Sequence, residues 1–290
     1  MKRNPRLGIW LMIAAVSMFA AQDGFSRHLA ETYNVQLVVM IRYWVFGAFV
    51  FLWALRRPGG LQSVATRQPI LHAARASLLI AEVCVIIWGY TLIGLIESHA
   101  VFAVCPLLVA ALSGPILHER LGLRGWAAII AGMVGVLVIL QPGTGVFSPA
   151  ALLPLAAATM FALYSVLTRK GAAKDSSFTS LFWSGTIGAV IITAIALPKW
   201  EPISSYDWVL MMIYALLALA ANFVLIKCYE VAEASSVQPF AYLQIVLVSI
   251  IGVVVYNEAL ETHVIIGAAI VIAAGLVTLL TTRTAAAEAG

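Results

Sequence analysis

Residues 90–119 of the chain read YTLIGLIESHAVFAVCPLLVAALSGPILHE, and residues 229–258 read YEVAEASSVQPFAYLQIVLVSIIGVVVYNE. The two stretches align without a gap: each starts at a tyrosine, passes small polar residues, crosses an apolar run and ends at a glutamate. The first helix of each half agrees as well, because Met18-Phe19-Ala20 returns as Met160-Phe161-Ala162. A long repeat of this kind in a hydrophobic chain predicts two related helical bundles.

The composition of the chain indicates a membrane protein. Of its 290 residues, 62% are hydrophobic and 10% are charged, whereas a soluble domain carries about 25% charged residues. The polar side chains are too few to cover a water-soluble globule, so the apolar surplus must face lipid. The net charge of +4 comes mostly from loop lysines and arginines, which indicate topology rather than a nucleic-acid partner.

Apolar segments of about 20 residues are long enough to cross a bilayer. The first of them is interpreted as a retained helix rather than a signal peptide, because it lacks a convincing cleavage site and many further spans follow. Turn residues separate the segments, for example Arg57-Pro58-Gly59-Gly60 and Gln141-Pro142-Gly143. We predict ten spans, at residues 7–26, 35–55, 71–93, 98–117, 123–140, 150–168, 178–197, 207–228, 234–256 and 262–281.

The loop charges predict the orientation. With a cytoplasmic N-terminus, thirteen lysines and arginines lie on the cytoplasmic side and only two, Arg27 and Lys199, lie on the other side. This asymmetry predicts that both termini lie in the cytoplasm. We expect a multi-pass protein of a bacterial inner membrane.

Ten spans divide into two sets of five. Because five is odd, the second set inserts upside down relative to the first, so the fold class is all-α, with two inverted five-helix repeats. The first repeat covers residues 1–141 and the second covers residues 142–290, and together they form one transport unit. Inverted repeats provide two conformations of similar energy, one open to each side, which is the physical basis of alternating access.

Short motifs in both halves carry a family resemblance. They lie at residues 97–107, 118–121 and 132–135 in the first half, and at residues 232–236, 257–260 and 267–275 in the second. With these motifs the chain resembles the ten-helix EamA-type transporters of the drug/metabolite transporter superfamily, including its amino-acid exporters. The resemblance implies a secondary transporter of amino acids, other metabolites or drug-like cations, moved mostly outward.

Three functions remain open from the sequence. The first is export of small metabolites, most plausibly amino acids, with a weak preference for aromatic or hydrophobic ones. The second is uptake or exchange of S-adenosylmethionine-like or opine-like metabolites, because Asp23 and Arg42 resemble a subgroup of the family that carries such compounds. The third is a non-transporting membrane enzyme or scaffold. No nucleotide-binding loop, HExxH, CxxC or GxSxG motif is present, so we expect no enzyme, no cofactor and no metal.

Charged residues within spans are costly and therefore invite a functional interpretation. Asp23 and Arg42 form either an ion pair in the cavity, separate contacts to a zwitterionic substrate, or a structural bridge between two helices. Glu82, in the middle of the third span, either binds an amine or couples transport to protons, or it forms a hydrogen bond to a neighbouring helix.

His99 and Gln238 occupy matching positions in the two copies, next to small residues that allow close backbone approach. They are either paired substrate contacts at helix N-termini or helix-end groups satisfied by the backbone. Deep aromatic residues are candidates for a cavity that accepts apolar or aromatic groups, although each can equally be ordinary packing. These residues are Trp88, Tyr90, Phe102, Tyr164, Trp183 and Tyr242.

The expected partners are a small-molecule substrate, the lipid bilayer and a coupling proton. Glycines at residues 132–135 and 267–275 predict packing seams, and because such seams on a lipid-facing surface can support dimers, both a monomer and a homodimer are open. Glu119 and Glu258 end matching helices and are interpreted as structural markers of the fold.

Overall fold

The computed structural model of the chain describes residues 5–117, 123–141, 148–171, 174–231, 240 and 242–288. Regular structure in these ranges is helical, without a strand. The α-helices of the described residues are α1 (Pro5–Thr32), α2 (Val35–Arg56), α3 (Pro69–Ile93), α4 (Leu95–Phe102), α5 (Cys105–Leu117), α6 (Leu123–Leu140), α7 (Leu152–Gly171), α8 (Ser177–Ala196), α9 (Ser205–Val231), α10 (Leu243–Tyr256) and α11 (Thr262–Glu288).

Seven apolar segments of the described chain are long enough to cross a bilayer, with α4 and α5 together forming one of them. Three shorter apolar helices accompany them, at Trp126–Leu140, Leu243–Tyr256 and Thr262–Val277. Helices satisfy every backbone hydrogen bond internally, which is the requirement for crossing hydrocarbon. The fold is therefore that of an α-helical, multi-pass integral membrane protein.

Two backbone breaks isolate the short helix α4. At its start, Gly94 adopts φ +88°, a conformation that side chains rarely tolerate, and a Cβ there would lie 2.7 Å from Oε1 of Glu258. At its end, the helix stops at Phe102 and a new one begins at Cys105. Pro106 explains the second break, because proline has no N–H to continue the hydrogen bonds of a preceding helix and is favoured in the first turn of a new one. The sequence predicted one continuous helix from residue 98; the structure has two.

Helix pairs define the bundle. Helix α1 packs along α9, α3 packs along α7, and α2 packs against α8. Helix α4 lies among α3, α7 and α10, where its residue Phe102 packs against both of the two largest apolar clusters of the described residues. The short helix therefore sits at the centre of the bundle.

Helices α6 and α11 pack closely on each other, and glycines make the contact possible. A Cβ at Gly135 would lie 2.8 Å from the carbonyl oxygen of Gly267, and one at Gly267 would lie 2.6 Å from the carbonyl oxygen of Gly135. Cβ atoms at Gly132 and Gly275 would collide with Leu107 and Tyr242. The glycines thus form close contacts between helices of the chain, as the predicted packing seams require.

Candidate functional site

A buried carboxylate on α1 gathers polar side chains from three helices. Nε2 of Gln22 donates to Oδ1 of Asp23 at 3.0 Å, and Nε2 of Gln244, from α10, donates to Oδ2 at 3.0 Å. Nε2 of His99, from α4, lies 3.2 Å from Oδ2. The Asp23 side chain is only 9% exposed. We call Asp23, Gln22, His99 and Gln244 the Asp23 cluster.

The contact between His99 and Asp23 has the distance of an ion pair but not the alignment of a hydrogen bond. Stacking on Tyr90 of α3 orients the imidazole, with ring centroids 5.3 Å apart and planes 13° apart. Tyr90 and His99 are both buried. The imidazole is therefore held between a carboxylate and an aromatic face.

Aromatic rings continue from His99 toward α7. Phe102 lies 6.5 Å from His99 between ring centroids, and Phe161 lies 5.9 Å from Phe102. Tyr164 follows, with its ring centroid 5.8 Å from that of Phe161. Phe102, Phe161 and Tyr164 are partly exposed, whereas Tyr90 is buried. These five rings, from Tyr90 to Tyr164, form a continuous run that we call the aromatic run, and it begins beside the Asp23 cluster.

Arg42 has partners other than Asp23. Its Nη1 donates to the hydroxyl of Tyr214 on α9 at 3.3 Å, and its guanidinium lies 5.7 Å from the centre of that ring. Glu82 is buried and interacts electrostatically with both Arg42 and Asp23. Asp23 and Arg42, both among the described residues, form no salt bridge with each other, so neither the ion pair nor the structural bridge considered above is present. Of the three alternatives for Asp23 and Arg42, separate contacts to a zwitterionic substrate are still open.

Several buried polar atoms near the Asp23 cluster have no hydrogen-bond partner in the described part of the chain. They include Oε1 of Gln22, Nε2 of His99 and Oγ of Ser98. Such atoms are rare in folded proteins and call for an explanation such as a ligand or a functional strain. Two of the three belong to the Asp23 cluster itself.

Trp183 lies in an apolar cluster apart from this centre, whereas Tyr242 belongs to the cluster against which Phe102 and Phe161 pack. Trp88 is 38% exposed, and it makes no ring contact with another described residue. Trp183 donates Nε1 to the carbonyl of Val64 at 2.9 Å, in a separate apolar cluster. Tyr242 packs toward Gly275 of α11. Gln238, the predicted counterpart of His99, lies outside the described residues, as does Glu119.

A second polar cluster lies where α3 begins. Oδ2 of Asp175 accepts from Thr66 at 2.8 Å and from Gln68 at 3.1 Å, and it lies 3.0 Å from Nε2 of His72. Nη1 of Arg75 lies 3.0 Å from Nδ1 of His72. Because arginine can only donate and an ionised carboxylate can only accept, His72 is the neutral tautomer protonated at Nε2. We call these five residues the α3-end cluster.

The α3-end cluster has His72 and Arg75 buried at its centre, Thr66 and Gln68 partly exposed at its edge, and it reaches the aromatic run. His72 is fully buried, the Asp175 side chain is 5% exposed, and Arg75 lies 5.2 Å from the centre of the Tyr164 ring. Burial raises the pKa of the Asp175 carboxyl, but hydrogen bonds from His72, Thr66 and Gln68 outweigh this effect, so the pKa lies below its ordinary value.

A third cluster lies where α4 begins. Glu258 accepts from the backbone N–H groups of Leu95 at 2.7 Å and Ile96 at 2.9 Å, which would otherwise be unsatisfied at a helix start. Arg27 forms an ion pair with Glu258 and lies 4.0 Å from the centre of the Tyr256 ring. We call these five residues the α4-end cluster. This contact gives Glu258 the structural role that its position at the helix end suggested.

Sequence reasoning missed several of these residues. Gln22 and Gln244 carry no charge, and only the adjacency of Gln22 to Asp23 could have drawn attention to the first. Arg75 was counted with the loop charges, but it is buried within α3, with His72 one helical turn away. No group of three or more His, Cys, Asp or Glu side chains suited to a metal occurs in the part of the chain that the structure describes.

Known proteins share this architecture. An S-adenosylmethionine uptake transporter of Rickettsia prowazekii is 26% identical over 92% of this chain and 90% of its own length. A riboflavin transporter of Vibrio cholerae is 27% identical over 93% of this chain and 92% of its own length. A solved crystal structure, 19% identical, covers 96% of both chains with a TM-score of 0.63, which shows a common fold.

The family model for EamA-like transporters matches two stretches, residues 6–141 and 148–280. Together they cover nearly all of the chain, including the Asp23 cluster, the aromatic run and the clusters at the ends of α3 and α4. The chain belongs to the EamA-like transporter family of the drug/metabolite transporter superfamily.

Proposed function

We propose that the chain carries amphipathic metabolites that join a planar heterocycle to an amino-acid-like charged group, as S-adenosylmethionine does. The similar transporters named for S-adenosylmethionine and for riboflavin support this class, since both compounds contain a flat, nitrogen-rich ring system. These names match the uptake or exchange alternative better than amino-acid export. Transport in either direction then follows the gradients of substrate and coupling ion.

One observation carries the proposal: the aromatic run begins beside a buried carboxylate, Asp23. Rings such as Phe102 and Tyr164 offer faces on which a heterocycle can stack. Asp23, a few ångströms beyond His99, offers a negative charge in a low-dielectric setting where such a charge attracts a cation strongly. A substrate with a ring at one end and a cation at the other matches this order of groups.

The charges of the site favour a cationic substrate. When Glu82 is ionised, Asp23 and Glu82 contribute two carboxylates near the guanidinium of Arg42. A riboflavin-like compound is the second candidate, because the aromatic run suits its ring whatever its charge. Glu82 has no hydrogen-bonding partner in the described residues, which supports the proposal that it takes up a coupling proton.

The proposed mechanism is alternating access by ten spans arranged as inverted repeats of residues 1–141 and 142–290. The helix contacts support this arrangement: exchanging the halves turns the pair α1–α9 into α7–α3, and the pair α3–α8 into α9–α2, all of which pack together. A carrier of this kind works as a single chain with both termini in the cytoplasm of a bacterial cell.

Counterflow into proteoliposomes tests the function. The purified chain, in vesicles preloaded with unlabelled S-adenosylmethionine, should accumulate external labelled S-adenosylmethionine, and vesicles without protein should not. One parallel arm exchanges labelled for unlabelled riboflavin, and another exchanges labelled for unlabelled phenylalanine. Accumulation only in the riboflavin arm would establish the second candidate, and accumulation only in the phenylalanine arm would restore amino-acid transport.

A further inference from the structure

We infer that Asp23 and Gln22 bind the primary ammonium group of the transported metabolite, while Gln244 and His99 hold Asp23 in place. This inference rests on the proposed function and names the part of the substrate that the Asp23 cluster recognises. It concerns binding alone and requires no covalent step.

The carboxylate of Asp23 is fixed as an acceptor with spare capacity. The amide nitrogens of Gln22 and Gln244 only donate, and each donates to a different carboxylate oxygen at 3.0 Å. Ionised carboxylates have about four acceptor positions, so Asp23 can accept further hydrogen bonds.

The same hydrogen bond fixes the direction of the Gln22 amide. Since Nε2 of Gln22 donates to Asp23, Oε1 is the remaining acceptor of that side chain. Oε1 is buried in a residue that is 5% exposed, and it has no partner in the described part of the chain. A buried acceptor of this kind needs an N–H or O–H donor from elsewhere.

These acceptors distinguish between the two cations of an S-adenosylmethionine-like compound. A primary ammonium has three N–H donors and a positive charge, so it satisfies Oε1 of Gln22 and neutralises Asp23 together. A sulfonium has the charge but no donor, and it would leave Oε1 of Gln22 unpaired. The Asp23 cluster therefore suits the ammonium group.

The surroundings of the cluster agree with this assignment. Tyr90 stacks on the far side of the His99 ring, which keeps the imidazole beside Asp23. The buried carboxyl of Glu82 lies within electrostatic range of Asp23. The aromatic run leads away from His99 and offers ring faces to the rest of the molecule, at the opposite end from its amine.

A ligand pair tests the inference. S-adenosylhomocysteine carries the ammonium, and methylthioadenosine keeps the nucleoside but lacks it. Binding of both is measured by calorimetry on the purified wild-type chain, on Asp23→Asn and on Asp207→Asn, an acid-to-amide control at the start of α9. Asp23→Asn should lower the affinity for S-adenosylhomocysteine about tenfold or more, and it should lower the affinity for methylthioadenosine less than about twofold. The control should change neither affinity.

A second variant covers the case in which Asp23→Asn does not fold. Gln22→Met keeps the volume and removes the acceptor, and it should weaken the ammonium-bearing ligand selectively by about threefold or more. Equal weakening of both ligands, in whichever of the two variants folds, would overturn the inference.

A pair without adenosine separates this inference from the proposed function. Phenethylamine and phenethyl alcohol differ only in the ammonium group, and the wild-type chain should prefer the amine in a manner that depends on Asp23. If the adenosine compounds do not bind but this preference holds, the substrate class is wrong and the ammonium site stands. If S-adenosylmethionine is transported but neither pair shows an amine preference, the ammonium site is wrong.

Discussion

The α3-end cluster and the α4-end cluster lie at opposite ends of α3. The first surrounds the N-terminus of that helix, and the second begins just after its C-terminus. Both are built around one carboxylate, Asp175 in the first and Glu258 in the second. In the first, side chains supply all of the described contacts and the carboxylate is 5% exposed. In the second, backbone amides of a short helix and an ion pair supply them, and Arg27 and Glu258 are 14% and 13% exposed.

The two clusters differ in how their stability depends on salt and solvent. The stability of a buried network of directed hydrogen bonds depends little on salt, and it is lost when one partner is removed. A partly exposed ion pair is weakened by salt, and its separation leaves charges that water can solvate. We therefore expect the end that holds Glu258 to open at a lower free-energy cost than the end that holds Asp175.

Removal of Arg75 should give the largest effect. The variant Arg75→Ala removes the donor to Nδ1 of His72 and to Oγ1 of Thr168, and it opens space beside Tyr164. Loss of one member of a buried charged network costs about 3–5 kcal/mol, so the unfolding midpoint in detergent should fall by roughly 10 °C. The control Arg67→Ala, at an exposed residue of the same segment, should change it by a degree or so. Similar shifts in both variants would refute the buried network.

Glycine 94 tests the cap of α4. The variant Gly94→Ala adds the strain of a positive φ and pushes a Cβ against Glu258. Gly59→Ala is the control for a positive φ, because Gly59 has φ +86° and ψ −4° but a Cβ there would lie 4.0 Å from the backbone nitrogen of Ser63. Strain alone costs about 1 kcal/mol, whereas loss of the cap adds a further 1–2 kcal/mol or so. Equal midpoints for the two variants would mean that the cap contributes nothing to stability.

Salt should distinguish the two ends. We expect Glu258→Gln to lower the unfolding midpoint by a few degrees at low salt, and about 1 M NaCl should reduce this gap because it shortens the screening length to roughly 3 Å. The gap between the wild type and His72→Gln should stay constant over the same range. A salt-insensitive Glu258→Gln gap would contradict the comparison, since it would place both ends in the same buried environment.

Acid should give the smallest effect. The pKa of Asp175 is lowered in the folded state, so its contribution to stability is complete above about pH 4 and disappears as the pH falls through the lowered value. The gap in unfolding midpoint between the wild type and Asp175→Asn should therefore be flat above that pH and close below it. A gap that widens on acidification would show the opposite sign of the pKa shift.

The helices and the membrane location were predictable because they depend on composition and period. Most predicted span boundaries lie within a few residues of the helices in the described chain, as at α3, predicted as 71–93 and found as Pro69–Ile93. The break between α4 and α5 was missed, although Pro106 lies at its edge, because an apolar run hides a local change in backbone direction.

The site was predictable only in part, because its partners are far apart in the chain. Asp23, Tyr90, His99 and Phe102 were predicted as candidates and lie together. Gln244 could not be assigned, since its role depends on being brought to Asp23 from 221 residues away. Its side chain also has no charge that would signal a cost inside a membrane.

Three helices build both the Asp23 cluster and the α4-end cluster. Helix α1 carries Asp23 and, one turn later, Arg27; α10 carries Gln244 and leads into Glu258. Helix α4, an eight-residue rod, bears His99 near its middle and the capped amides at its start. Movement of any one of them changes both sites. Thermodynamic linkage then requires reciprocity: by whatever factor a bound ammonium alters the strength of the Glu258 contact, breaking that contact alters ammonium affinity by the same factor.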